Sequence, residues 1–220
     1  MNSCETISLL LVDDHEMFQD SLKWLFQDHP EIQVIGTACN AEEAIERTLE
    51  LEPAIVLMDI DMPGLICFDG AARIRSLRPE TRIIFLSAFF HDHYIEQALN
   101  VSAWGYLTKS EPSGRLIEAI KMVSRGRVYF SEQIRSRIVA DSSGVRLAKH
   151  DEQTSNSLSS REVEVLRYLS RGRSKKEIAG TMHISVKTVE GHTQRIMKKL
   201  DIHDRVELAR YAIREGLADP

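Results

Sequence analysis

A chain of 220 residues with 43% hydrophobic content can fill two compact domains. It holds no apolar run near the roughly 20 residues of a membrane span, and no basic N-terminal segment leads into an apolar one, so a cytoplasmic protein with no membrane partner is expected. Cys4, Cys39 and Cys67 are odd in number and lack metal-ligand spacing, which leaves them as small buried hydrophobes.

Strand and helix signals alternate through the first half. A strand over 7–12 ends in Asp13-Asp14, and a helix over about 16–28 follows at once with Met17, Leu22, Leu25 and Phe26 apolar. A strand over 32–37 and a helix over 41–51 come next. The third strand, 54–59, is an apolar run with β-branched Ile55 and Val56 that stops at Asp59, with Pro63-Gly64 punctuating it soon afterwards. In open α/β sheets that edge is where ligands bind. Alone, Asp59 reads as a turn residue, and Asp13 or Asp14 as a cap of the next helix. If the first and third strands are neighbours, three carboxylates converge at one sheet edge. Such like charges persist when a cation offsets them, and hard oxygen ligands suit Mg2+.

A helix over about 67–77 precedes a strand over 82–87 that ends in Ser87. A helix over 91–100 then leads to a strand over 104–108, which ends beside Lys109, and a helix over 113–125 follows. His91-Asp92-His93 reads as a solvated helix start. Ser87 and Lys109 singly read as a turn hydroxyl and a solvated lysine. Together they offer a donor and a point charge to a phosphoryl group. Five strands alternating with five helices predict a parallel sheet covered on both faces.

Asp13-Asp14, the stretch from Met58 to Gly64, Ser87 and the stretch from Gly105 to Lys109 match, in order, the motifs of response-regulator receiver domains. Residues 5 to 126 therefore resemble that family. The resemblance implies a flavodoxin-like, doubly wound five-stranded sheet with Asp59 as phosphoacceptor. It implies Mg2+ held by Asp13, Asp14, Asp59 and the backbone carbonyl of Asp61, Ser87 as switch hydroxyl, Lys109 on the phosphate, and Tyr106 as the rotameric aromatic. The sequence departs from the pattern at Cys67, where the family has glycine, and at Ser110, where many members have proline. Asp61 is read as an exposed loop acid, and as a hypothesis it tunes the lifetime of the phosphorylated state.

Past Gly126 the pattern decays. Residues 131–140 carry Ile134, Ile138 and Val139 and predict one more amphipathic helix, and 141–157 has a linker composition. From Asn156 onward there are 13 basic and 9 acidic side chains, net +4, which leaves the rest at 15 against 24, net −9. Only this tail is suited to a polyanion.

The tail opens with Ser159 and Glu162 at capping-box spacing before Val163, Leu166, Tyr168 and Leu169, and Gly172 stops that helix. Ser174 and Glu177 repeat the spacing, and Ser185 starts a third helix after a short turn, the pattern of a helix-turn-helix. In the third helix Val189, Ile196 and Leu200 share a face, which leaves Lys187, Gln194, Arg195, Lys198 and Lys199 for solvent or DNA.

Ser159-Ser160-Arg161-Glu162, Lys176-Glu177-Ile178-Ala179, the stretch from Ser185 to His192, and Lys199-Leu200 resemble the LuxR/NarL-type DNA-binding domain over 158–220. The resemblance assigns base readout to Glu190, Gly191 and Gln194, with Lys176, Lys187, Thr188, His192, Arg195, Lys198 and Lys199 completing the DNA set. It makes a fourth helix, 204–216, the dimer contact; packing on its own domain explains part of the same apolar set. The chain as a whole resembles a two-component response regulator. That implies a sensor histidine kinase as phosphodonor, double-stranded DNA as target and a homodimer when phosphorylated or DNA-bound. Domains at 5–126 and 158–220, joined by a helix and linker at 127–157, are expected. It is not read as an enzyme beyond self-catalysed phosphotransfer and autodephosphorylation. Two other readings are a phosphorylation-independent DNA-binding regulator and an aspartate-dependent phosphohydrolase; against the latter, such enzymes carry their aspartate pair at the first strand.

Overall fold

The computed structural model describes residues 6–62, 66–88, 92–135, 138–141, 144–147, 158–214 and 217. The chain divides into two compact units, 1–148 and 149–220.

The first unit is built on parallel strands β1 (Ile7–Val12), β2 (Ile32–Ala38), β3 (Ile55–Asp59), β4 (Arg82–Ser87), β5 (Gly105–Thr108) and β6 (Tyr129–Phe130), in the order β2-β1-β3-β4-β5-β6. β3 and β5 are buried throughout, because helices cover both faces; this is why they read as apolar runs and not as alternating patterns. Leu9, Leu11, Leu57, Ile84, Leu86 and Leu107 share one face with α1 (Glu16–Gln27) and α5 (Ser113–Ser124), through Leu22, Phe26, Leu116, Ile120 and Val123. On the other face α3 (Cys67–Leu77) and α4 (Asp92–Asn100) bring Phe68 and Tyr94 together, and Phe68 meets Phe85 of β4 at 4.9 Å between ring centroids. α2 (Ala41–Leu51) lies against β2 and α3.

Strand order reverses between β1 and β3, which makes the gap at their carboxyl ends the natural ligand crevice. The register pairs Val12 with Met58, Asp59 with Leu86 and Ser87 with Thr108. Asp13, Asp59, Ser87 and Lys109 therefore leave the sheet along one edge. Gly105 opens β5 because an added Cβ would lie 3.0 Å from the Tyr129 carbonyl and 3.2 Å from Ile84.

Several expectations are corrected. The sheet has six strands, since Tyr129 and Phe130 pair with Gly105 and Tyr106. The helix expected over 131–140 is only α6 (Glu132–Arg135); β7 (Ile138–Asp141) and β8 (Gly144–Leu147) then form an antiparallel hairpin, with β8 against α4. The β-branched pair Ile138-Val139 favours strand over helix. Residues 144–147 are thus strand and not linker, and 148–157 lie outside the described residues. Met17 is 83% exposed; the buried stripe of α1 is Gln19, Leu22 and Phe26. Cys39 is exposed, Cys67 is buried as expected, and Cys4 lies outside the described residues, as do Pro63, Gly64 and His91.

The second unit comprises α7 (Ser160–Ser170), α8 (Lys175–Thr181), α9 (Val186–Leu200) and α10 (Arg205–Arg214). Both capping boxes form, Ser159 with Glu162 and Ser174 with Glu177, and Ser185 caps α9 by accepting from the Thr188 N–H. Val163, Leu166, Ile178, Val189, Ile196, Leu208 and Ala212 fill the core, while Tyr168 and Leu200 are half-buried. Among the described residues no helix is long and apolar enough to cross a membrane, and no peptide bond is cis.

Candidate functional site

The carboxyl edge of the sheet assembles the acidic pocket. Asp59 is 1% exposed, and its Oδ1 has no hydrogen-bond partner among the described residues. Its Oδ2 lies 3.1 Å from Lys109 Nζ, and the same ammonium donates to Asp13 Oδ2 at 2.7 Å. The Phe18 ring, its centroid 4.4 Å from Nζ, shields that ammonium from one side.

The charges follow from this placement. Burial pushes the Asp59 carboxyl up to about 6, with Asp13 and Asp61 adding to the rise and Lys109 opposing it. Burial works against the Lys109 ammonium, but Asp59 and Asp13 outweigh it and hold its proton more tightly than usual. Asp61 is partly buried and acts on Asp59, so the reading of it as an exposed loop acid is corrected.

Two residues that sequence reasoning left out support the pocket. Gln19 donates its side-chain amide to the carbonyls of Asp13, at 2.6 Å, and Ala38, at 3.1 Å, tying the ends of β1 and β2 together. His15 donates its backbone N–H to Asp13 Oδ1 at 2.8 Å. Its Nδ1 lies 3.2 Å from that oxygen and 3.0 Å from Asp14 Oδ1. One ligand atom each from Asp13, Asp14, His15 and Asp59 fall within 4.8 Å of one another. The unpartnered buried oxygen of Asp59, amid hard oxygen donors, fits a divalent cation such as Mg2+.

Ser87 and Tyr106 are fully buried beside the pocket. The tyrosine already points inward and its hydroxyl shares a hydrogen bond with Ser87; burial raises its pKa well above the ordinary tyrosine range.

In the second unit α8, the turn over 182–185 and α9 form a helix-turn-helix, with His183 in the left-handed region at φ 52° and the Ile184 N–H donating to the Ala179 carbonyl. Lys176, Lys187, Thr188, Gln194, Arg195 and Lys198 are exposed, whereas Gly191 and His192 are half-buried. Glu190 is exposed and paired with Lys175 of α8 at 3.1 Å. Arg195 donates from Nε to the Gly191 carbonyl at 3.2 Å, and it lies 3.4 Å from His192 Nδ1. Burial and the Arg195 charge hold the His192 pKa below the usual histidine value. Lys199 is committed to the buried Glu162 at 2.7 Å, where it joins the end of α9 to the start of α7. Burial raises the Glu162 pKa, but Lys199 and the Ser159 cap win and leave it below the usual carboxylate value. On α10, Leu208 and Ala212 are spent inside the unit, and Val206 stays 60% exposed.

Comparison with known proteins agrees with this geometry. A family model for the response regulator receiver domain matches residues 9–121, and one for bacterial regulatory proteins of the luxR family matches 156–212. The transcriptional regulatory protein LiaR of Bacillus subtilis is 31% identical over 213 residues, which cover 97% of this chain and 100% of that protein. The oxygen regulatory protein NreC of Staphylococcus epidermidis is 31% identical over 222 residues, with the same coverage. Among solved structures, RcsB of Salmonella enterica serovar Typhimurium, bound to promoter rprA with the phosphomimetic BeF3-, has a TM-score of 0.69. It is 20% identical and covers 94% of this chain and 98% of its own. A LuxR-family two-component response regulator from Aurantimonas sp. SI85-9A1 has a TM-score of 0.57 at 30% identity, covering 60% of this chain and 94% of its own.

Proposed function

Because this chain belongs to the LuxR-type two-component response regulators, which regulate transcription by binding DNA, we propose that Asp59 is its phosphoacceptor and that phosphorylation there sets its binding to DNA. The observation that carries the reading is the Asp59 carboxylate. It is buried at the crevice of the sheet, with one oxygen unpartnered and the other 3.1 Å from an ammonium.

A phosphohistidine of a sensor kinase would donate the group: an Asp59 oxygen attacks phosphorus, the P–N bond breaks and the imidazole leaves. Lys109 is within reach of a phosphoryl oxygen once it releases Asp59. Mg2+, held by Asp13, Asp14, Asp59 and the Asp61 carbonyl, would supply the remaining positive charge. Ser87 is shared: its hydroxyl now meets Tyr106, and the phosphoryl group would compete for it. When Ser87 turns, Tyr106 loses its partner, and the α4 face around Phe68 and Tyr94 repacks. The β7–β8 hairpin rests on α4, which supports a route from this face into the linker.

We assign the receiver to 5–126, the DNA-binding domain to 158–220, and to 127–157 the segment that adds β6 and the β7–β8 hairpin to the first unit before leading into the second. α9 enters the major groove of double-stranded DNA, with Glu190, Gly191 and Gln194 toward base edges and Lys176, Lys187, Thr188, His192, Arg195 and Lys198 toward phosphates. Lys199 holds α9 in place through Glu162. The exposed Val206 of α10 is available to a second copy, consistent with a homodimer on two half-sites, and the protein acts in the cytoplasm.

The test uses the parent and Asp59→Asn, each incubated with Mg2+ and a small phosphodonor, with intact mass and oligomeric state read together. A phosphate adduct with a shift toward dimer in the parent alone is expected. No adduct, or an adduct that leaves dimerisation and DNA binding unchanged, would overturn the switch in favour of a phosphorylation-independent regulator.

A further inference from the structure

We propose that the first unit carries a second binding site, at the sheet edge opposite Asp59, for a small organic anion with an apolar body and one carboxylate. The inference does not depend on phosphorylation.

The site is a cavity of about 730 Å3, a size that encloses most of a small organic ligand. It lies at the amino ends of β4 and β5, whereas Asp59 leaves the sheet at the carboxyl ends. Its existence follows from β6. Tyr129 and Phe130 carry the sheet one strand past β5, but the helix that follows them, α6, is only four residues long. The space between α6 and the ends of α3 and α4 therefore stays a cavity. Ile83, Leu99, Trp104, Val128 and Phe130 give it apolar walls, and Val128 is 57% exposed, apolar surface that a ligand would cover. These walls are fixed in advance. The Trp104 N–H donates to the Ile83 carbonyl and the Tyr129 N–H to the Trp104 carbonyl, each at 2.8 Å. The Arg82 guanidinium lies 5.1 Å from the Trp104 ring centroid and holds the indole from one side.

Charge selects the sign of the ligand. Arg75 and Arg135 line the cavity, and among the described residues no acidic side chain does. Arg75 donates from one nitrogen to the Val101 carbonyl at 2.8 Å, which fixes the guanidinium at the end of α4 and leaves further N–H groups for a ligand. Arg135 is exposed. A carboxylate meets such donors in charge-assisted bonds, which a neutral group of the same shape cannot match. The connecting residues 149–157 contain no apolar side chain, so they offer no plug for walls of this kind.

The chain has two tryptophans, Trp24, 76% exposed on α1, and Trp104 in the cavity wall. Nuclear magnetic resonance of their indole N–H groups in the full chain therefore reports the site with an internal control, and Trp24→Phe assigns the signals. Naphthoate should shift the Trp104 signal saturably and leave that of Trp24 in place, and the isosteric naphthamide should bind about 10-fold more weakly. Arg75→Gln and Arg135→Gln should each weaken naphthoate about 3-fold, and together bring it to the affinity of naphthamide, whose own binding they leave unchanged. Parental signal positions in the ligand-free variants show that the fold is intact. Equal affinity of the parent for naphthoate and naphthamide would overturn the selection for an anion. Shifts of both tryptophans together would mean adsorption to the surface, and no shift with either probe would mean that the cavity takes no such ligand; either result overturns the site.

Discussion

At the scale of single residues, Asp59 is held at an energetic disadvantage. A carboxyl whose folded pKa lies above its unfolded value binds its proton more tightly when folded, so this group weakens folding as pH rises from about 4 through about 6. Two pKa units correspond to about 3 kcal/mol near neutrality. Asp59→Asn, compared with the parent by urea unfolding in chelator, should be more stable by up to that amount at pH 7 and indistinguishable near pH 4. An unchanged difference between the two pH values would show that burial does not strain the carboxylate. The residues that chemistry needs at strand ends, Asp13, Asp14, Asp59, Ser87 and Lys109, were legible because apolar runs stop at them. Gln19 was not. It is a polar side chain on the buried stripe of α1, three residues before Leu22, and a helical pattern scored on apolar residues selects exposed Met17 instead. His15 was passed over because a residue after two aspartates at a helix start reads as a solvated end.

At the scale of elements, ends were more legible than short connections. Gly172, read as the stop of α7, sits at φ 78°, and the Arg173 N–H after it returns to the Tyr168 carbonyl, as in a glycine-closed helix end. An added Cβ there meets nothing within 4 Å, so Gly172→Ala tests backbone conformation alone. It should destabilise the C-terminal unit by about 1 kcal/mol. His183 in the turn between α8 and α9 is the opposite case: a side chain at φ 52° where glycine is at ease, so His183→Gly should stabilise by about 0.5–1 kcal/mol. The C-terminal transition in thermal unfolding of the full chain checks both, and a neutral Gly172→Ala would remove this account of how α7 ends. The β7–β8 hairpin escaped because Ile134, Ile138 and Val139 fit a helical spacing as well as a strand. What decides between them is pairing of Ile138 with Leu147 and Ala140 with Val145, a contact no local pattern carries.

At the scale of the whole molecule, charge separates the two halves: residues before Asn156 carry net −9 and those after it net +4. An acidic receiver gains further negative charge when phosphorylated, while the second unit keeps its cations on and around α9. Lys187 and Lys198 are exposed there, whereas Lys199 is already bound to Glu162. If the first two hold phosphates, each releases a counterion on binding, and affinity falls with salt accordingly. Lys187→Ala and Lys198→Ala should each reduce the slope of log affinity against log salt by about one, and weaken specific and random duplexes equally. Lys199→Ala should leave the slope nearly unchanged and lower the stability of the C-terminal unit, because it strands the buried Glu162 carboxylate. Gln194→Ala should cost about 1–3 kcal/mol on the operator and little on random DNA, since a side chain that reads a base edge contributes only where that base is present. Fluorescence anisotropy across a salt series, with both duplexes, separates the three. If Lys199→Ala changed the slope as much as Lys187→Ala, the Glu162 pair would be one that DNA breaks, and α9 would sit deeper along its C-terminal half than this arrangement of cations implies.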